Sequence, residues 1–138
     1  MSEALYHAAL VERARAAFGK GRLPDADASA TVDNPLCGDR VTLHLKLDGG
    51  RIAAISHEVR GCLLCEASAA TIAEFLRGAT QTDIEAINTA ARSLMKEGRT
   101  DARWACLEIF TPVHQAKSRR DCVLLPFEAL KRAASAAF

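Results

Sequence analysis

Residues 39–61 read DRVTLHLKLDGGRIAAISHEVRG. Val41, Leu43, Leu45 and Leu47 alternate with Arg40, Thr42, His44 and Lys46, the period of a strand with one buried face. Gly49-Gly50 turns the chain, and Arg51 to Arg60 returns as a second strand. The register follows from the buried face, because one residue of slip moves every side chain to the other side. A two-residue loop would set Leu43 opposite Ser56 and Val41 opposite Glu58. A three-residue loop of Gly49-Gly50-Arg51 pairs Leu47 with Ala53, Leu45 with Ile55 and Val41 with Val59, and is the expected one.

Outward from this hairpin the period becomes helical. Towards the N-terminus, residues 2–18 read as a helix with Leu5, Ala8, Ala9, Glu12 and Ala16 at helical spacing and Gly19 as its stop. The polar stretch 21–34 reads mainly as loop, with Ala28 to Val32 able to add a short edge strand. After Gly61, Cys65, Ala69, Ile72 and Leu76 form a helical stripe closed by Gly78. A further helix spans about residues 83–97, with Ile84, Ile87, Ala91 and Leu94 on one face and Gly98 at its end. Arg103 to Phe110 is a shorter helical candidate, Val113 to Asp121 a polar connector, and the chain closes in a helix with Pro126 in or near its first turn. The expectation is an α+β fold: a small antiparallel sheet of about two to three strands with about four to five helices packed on one face.

Composition bounds the function. The 138 residues suffice for one domain over 1–138, and no repeat or linker divides them. With a formal charge of +1 and no like-charge block longer than Arg119-Arg120, neither a nucleic acid nor an acidic membrane is an expected partner. The N-terminus lacks the pattern of a signal peptide and no apolar run is long enough to span a bilayer, so a cytoplasmic location is expected. Thiols are kept reduced there, and an odd count of 5 cysteines argues against a full disulfide set.

Cys37 and Asp39 lie two apart at the start of the first strand, on one face. The hairpin sets Asp39 opposite Gly61, so its open end brings Cys37, Asp39 and Cys62 to within roughly 5–10 Å. Cys62 also precedes a helix, where backbone N–H groups and the dipole favour a thiolate. Two thiolates and a carboxylate make three metal ligands, and a tetrahedral site takes a fourth. Cys122 is the candidate, although sequence distance alone does not place it there. Cys65 is either a reserve ligand or resolving thiol for Cys62, or a residue of the apolar stripe. Cys106 reads as core, His44 as solvated and His57 as a satisfied buried histidine. Arg119-Arg120 reads as a solvated charge pair, with softening of the negative charge of a thiolate-rich site as the alternative.

These same residues carry a family resemblance. Asn34-Pro35-Leu36-Cys37-Gly38-Asp39, residues 61–69 (GCLLCEASA) and residues 119–125 (RRDCVLL) resemble the three cysteine segments of IscU/NifU N-terminal-type scaffold proteins, and Leu5-Tyr6-His7 is similar to their first helix. The resemblance implies a site of Cys37, Asp39, Cys62 and Cys122 that assembles a transient iron–sulfur cluster, of the [2Fe-2S] type, or binds Zn2+. It also implies a cysteine desulfurase as sulfur donor, with Cys122 as candidate persulfide acceptor, and apo iron–sulfur proteins as recipients. The long stretch between Cys62 and Cys122 looks more like the SufU branch, whose members bind zinc and relay sulfur. Three departures stand out. Asp121 replaces a histidine of IscU proteins, the segment that recruits a dedicated Hsp70 chaperone is absent, and Cys65 stands where relatives carry a small residue. A scaffold is thus the leading reading, a zinc-bound sulfurtransferase the alternative and a structural zinc module the weakest, since a carboxylate suits a permanently closed site poorly.

Overall fold

Gly49 and Gly50 both take left-handed backbone, at φ 60° and 76°, which is the requirement of a two-residue type I′ hairpin turn. The computed structural model that shows this describes residues 3–36 and 38–138, with residue 3 by its backbone only. Its elements run α1 (Glu3–Ala16), β1 (Ala28–Asn34), β2 (Asp39–Asp48), β3 (Arg51–Arg60), α2 (Leu63–Phe75) and α3 (Gln81–Glu97). Then come 3₁₀ turns at Ala102–Gln115 and Lys117–Arg119, and α4 (Arg120–Ala137). The sheet is antiparallel in the order β1-β2-β3. The fold is α+β, as expected.

The hairpin register is partly as expected. Leu45 pairs with Ile55 and Val41 with Val59, and in the same register Leu43 faces His57 and not Ser56. The loop itself differs: Asp48 pairs with Arg51 and Leu47 with Ile52, not Ala53. The register shifts between Lys46 and Leu47, which leaves Ala53 as the extra residue of a β-bulge. The bulge reconciles the tight turn with the pattern, because it lets Ile52 and Ile55, three apart, both point into the core. Val41, Leu43 and Leu45 are fully buried beside them, each side chain worth about 1.5–3 kcal/mol. The opposite face is polar: Thr31 and Thr42 share a hydroxyl hydrogen bond of 2.8 Å, and His44 bridges Ser29 and Glu58.

The helices correct several expectations. The inward face of α1 is Leu10 and Ala14, while Leu5 is exposed, because an alanine-rich helix gives little contrast between its faces. α2 is buried over most of its circumference, packing against α1, α4 and β3, where the pattern suggests one stripe. α3 follows its expected face, starts with a Thr80–Asp83 capping box and ends on left-handed Gly98. The shorter helical candidate is a 3₁₀ segment kinked at Trp104. Most consequential is α4, which starts at Arg120 and holds Pro126 well inside. Cys122 therefore belongs to the first turn of a helix and not to a connector. α4 packs on β1, β2, α2 and α3 and so joins the sheet to the helical layer.

Candidate metal centre

Three elements meet at the open end of the hairpin. Asp39 starts β2 and is 6% exposed. Opposite it Gly61 leaves room for the carboxylate, since a Cβ there would stand 3.0 Å from the Asp39 carboxyl carbon and from Oδ1 and would press the side chain aside by a few tenths of an ångström. Cys62 is the N-cap of α2, with extended backbone (φ −77°, ψ 171°), and is half-buried. Cys65 lies one turn into α2 and is fully buried. Among the described residues, Asp39, Cys62 and Cys65 offer ligand atoms that all lie within 4.8 Å of one another.

The third cysteine arrives with α4. Pro126 has no N–H, so the Cys122 carbonyl loses the helical partner it would otherwise have. The Cys65 sulfur lies 3.1 Å from that carbonyl and 3.3 Å from Asp39 Oδ2, so its one S–H proton is shared between these acceptors and the Cys62 sulfur. Ser68 on α2 fixes the next carbonyl, donating to Val123 O at 2.7 Å. The helix irregularity at Pro126 thus seats the first turn of α4 on the first turn of α2. Cys122, 5% exposed, comes close enough for its thiol to hydrogen-bond the Cys62 sulfur.

Electrostatics separates the two cysteines of α2. The Cys62 thiol is pulled down to about 5, chiefly by the hydrogen bond from the Cys65 thiol, against the opposing effect of burial. The backbone N–H of Cys65, the Cys122 thiol and the N–H of Leu64 add to the pull. Cys65 moves strongly upward, because its proton is held by Cys62 and because burial and Asp39 disfavour a second negative charge. Arg119 completes the surroundings. Its guanidinium is held further up by a hydrogen bond to Cys62, with a smaller contribution from Cys122. Arg119 is exposed and at the same time bonds the site, whereas Arg120 is partly buried and donates to the His114 carbonyl at 2.7 Å, so the solvated reading fails on Arg120.

Of the candidates that the sequence singles out, Cys37 lies outside the described residues; Asp39, Cys62, Cys65 and Cys122 come together; Cys106 does not. Cys106 is half-buried against the core, and its carbonyl accepts from Arg13. His57 is buried, with Nε2 bonded to Phe18 O at 2.8 Å and Nδ1 without a partner among the described residues, so burial pushes its pKa down. Arg119 stands beside the Cys62 and Cys122 sulfurs, the less favoured of the two readings the sequence offers for it, and its position three before Cys122 is the signal for that reading. The donor set suits a soft metal: thiolates favour zinc or iron, and a carboxylate supplies one hard, more exchangeable oxygen. Tetrahedral ligands at about 2.0–2.3 Å from a metal stand within about 4 Å of one another, so the described atoms, within 4.8 Å, would draw slightly together to hold one.

Known proteins share this architecture. The chain is 25% identical over 130 residues to the iron–sulfur cluster assembly scaffold protein IscU of Thermotoga maritima, covering 94% of this chain and 92% of that one. It is 27% identical over 135 residues to the zinc-dependent sulfurtransferase SufU of Bacillus subtilis, covering 94% and 89%. The two likenesses are of similar extent, so SufU is a relative without being singled out. The fold matches the crystal structure of a nitrogen-fixing NifU-like protein (N-terminal) from Brucella abortus with a TM-score of 0.87 at 33% identity, over 93% of this chain and 90% of that one. The family model of the NifU-like N terminal domain matches residues 5–136, and the chain belongs to that family.

Proposed function

We propose that this chain is an iron–sulfur cluster assembly scaffold. It accepts sulfur from a cysteine desulfurase and holds iron or a nascent cluster through Cys37, Asp39, Cys62 and Cys122. It then passes the cluster to apo iron–sulfur proteins. The observation that carries this reading is the buried Asp39 carboxylate set among cysteine sulfurs at the start of α2. A permanent electron-transfer centre is served best by four thiolates, whereas one oxygen ligand weakens the hold and favours release. The match over nearly the whole chain to IscU and NifU-like proteins supports it.

The chain's own residues divide the work. Backbone N–H groups at the start of α2 and the neighbouring thiols keep Cys62 ready as a thiolate. Arg119 offsets the negative charge of Cys62 and Cys122. Cys122, touching Cys62, is the candidate acceptor of sulfane sulfur. Cluster iron and sulfide are cargo here. The test is anaerobic reconstitution with iron, cysteine and a desulfurase, followed through visible absorbance and then by transfer to apo-ferredoxin. A chain that takes up iron and sulfide in no stoichiometric amount is not a scaffold.

The likeness to SufU favours one second reading, a zinc-bound sulfurtransferase. The same residues would hold zinc, which when bound keeps its thiolates deprotonated, and Cys122 would take the persulfide. Metal analysis after anaerobic purification separates the two. Zinc that survives reconstitution with iron and sulfide, together with sulfur passed on as persulfide, identifies the sulfurtransferase.

A further inference from the structure

The pair Cys62-x-x-Cys65 is more than the four-residue site uses. Side chains three apart at a helix start have Cβ atoms about 5–6 Å apart, and a disulfide draws them to about 3.5–4.5 Å. The two sulfurs already lie within 4.8 Å of each other. Cys62 is the N-cap, with extended backbone, and only its carbonyl enters the helical ladder, accepting from the Glu66 N–H at 3.1 Å, so its side chain can close that gap without breaking α2. The pair is asymmetric in the way a dithiol couple needs. Cys62 is half-exposed and open to an incoming sulfur, while Cys65 is fully buried. Asp39 Oδ2, 3.3 Å from the Cys65 sulfur, is placed to take the Cys65 proton.

We propose that Cys62 and Cys65 form a reducing dithiol that converts sulfane sulfur held on Cys62 into free sulfide inside the site. The proposal rests on the reading that this chain receives persulfide sulfur. The Cys62 thiolate attacks the outer sulfur of a persulfide on Cys122, which leaves a Cys122 thiolate and a Cys62 persulfide. Cys65 then gives its proton to Asp39 and attacks the Cys62 Sγ. The Cys62–sulfane bond breaks, a Cys62–Cys65 disulfide forms, and the outer sulfur leaves as HS⁻, which collects the proton from Asp39. The sulfane sulfur gains two electrons and the two cysteine sulfurs supply them. A dithiol protein reductant or small dithiol resets the pair by attacking the exposed Cys62 sulfur. This gives Cys65 a chemical role beside its hydrogen bond to the Cys122 carbonyl. It also supplies sulfide at the oxidation level a cluster needs, next to the ligands that hold the iron.

The test uses the full chain, anaerobic, freed of metal by chelation and then of excess reductant, and loaded with inorganic polysulfide in place of a desulfurase. Wild type should release about one sulfide per persulfide formed on Cys62, and peptide mapping should find the Cys62–Cys65 disulfide. Cys65→Ser keeps a hydroxyl for Asp39 and for the Cys122 carbonyl, so the fold is retained, but it should keep its persulfide and release about tenfold less sulfide. Equal release from Cys65→Ser and wild type overturns the proposal. So does a disulfide mapped to Cys62–Cys122, or a wild-type persulfide that persists. The scaffold reading is judged separately, by cluster formation from iron and inorganic sulfide, a route that needs no persulfide.

Discussion

Cys62 and Cys106 each stand beside an arginine, and they behave oppositely. At the start of α2, Cys62 has Arg119 and is pulled down to about 5. In the 3₁₀ segment, Cys106 has Arg13, yet its thiol is pushed up, because burial outweighs the arginine's charge. The difference lies in what the donors touch. Arg13 spends its guanidinium on the Cys106 carbonyl and the Thr71 hydroxyl, and it lies 5.1 Å over the Phe75 ring. The Cys106 sulfur has its own backbone N–H as donor, and that does not offset its burial. Around Cys62 two thiols and the two backbone N–H groups of Leu64 and Cys65 together outweigh the effect of burial. A cation nearby does not make a reactive cysteine; several donors directed at the sulfur do.

The largest effect expected from this contrast is in alkylation of the metal-free chain at pH 6. With Cys62 near 5 and Cys106 above its ordinary 9.0, their thiolate fractions differ by about a thousandfold. The lower basicity of Cys62 returns roughly two decades of that gain through weaker nucleophilicity, which leaves on the order of tenfold in rate. Mapping iodoacetamide adducts over time measures it. The Cys62 rate should hold from pH 8 down to pH 6 and fall only as the pH drops through about 5, where the thiolate takes up its proton. A Cys62 rate that rises steadily up to pH 9 breaks the comparison.

The next effect sharpens it. Cys65→Ala removes the principal donor to Cys62 and should raise the Cys62 pKa, slowing its alkylation at pH 6 several-fold. Arg119→Gln should slow it less, since the thiol and backbone donors remain. The reverse order would mean that charge, and not directed hydrogen bonding, sets the thiolate. On the other side, Arg13→Ala leaves the Cys106 carbonyl and Thr71 short of a donor and loses the cation over Phe75, which should cost about 1–3 kcal/mol in denaturant unfolding. Metal content should not change. The smallest effect is expected from Cys106→Ala, about 1 kcal/mol or less from lost packing, with iron and zinc uptake equal to wild type.

The contrast also shows which parts of the molecule are legible in the sequence. The hairpin is, because alternation and Gly49-Gly50 are local signals, and it places Asp39 at Gly61 and near Cys62. Its bulge at Ala53 is not, since a tight turn and a three-residue apolar spacing have to be reconciled by packing. The start of α4 is hidden by Pro126. Proline favours a helix's first turn, yet here the carbonyl it releases is met by a thiol 57 positions away in sequence. Cys65 and Arg119 gain their roles through the same long-range fit, which no local pattern encodes.

The central claim is that Asp39 makes the site one that lets its cluster go. Asp39→Ala should leave the fold intact, since the Cys65 thiol that bonds the carboxylate keeps the Cys122 carbonyl as a partner, and it removes the one hard ligand without touching a ligand thiolate. Asp39→Cys replaces that ligand by a soft one. The measurement is the half-time of cluster transfer to an apo-ferredoxin under anaerobic conditions, starting from wild type and both variants loaded with the same amount of cluster. Transfer should be slowed in both variants, with the cluster retained longest in Asp39→Cys. Equal half-times in all three proteins would contradict the account and remove Asp39 from control of release.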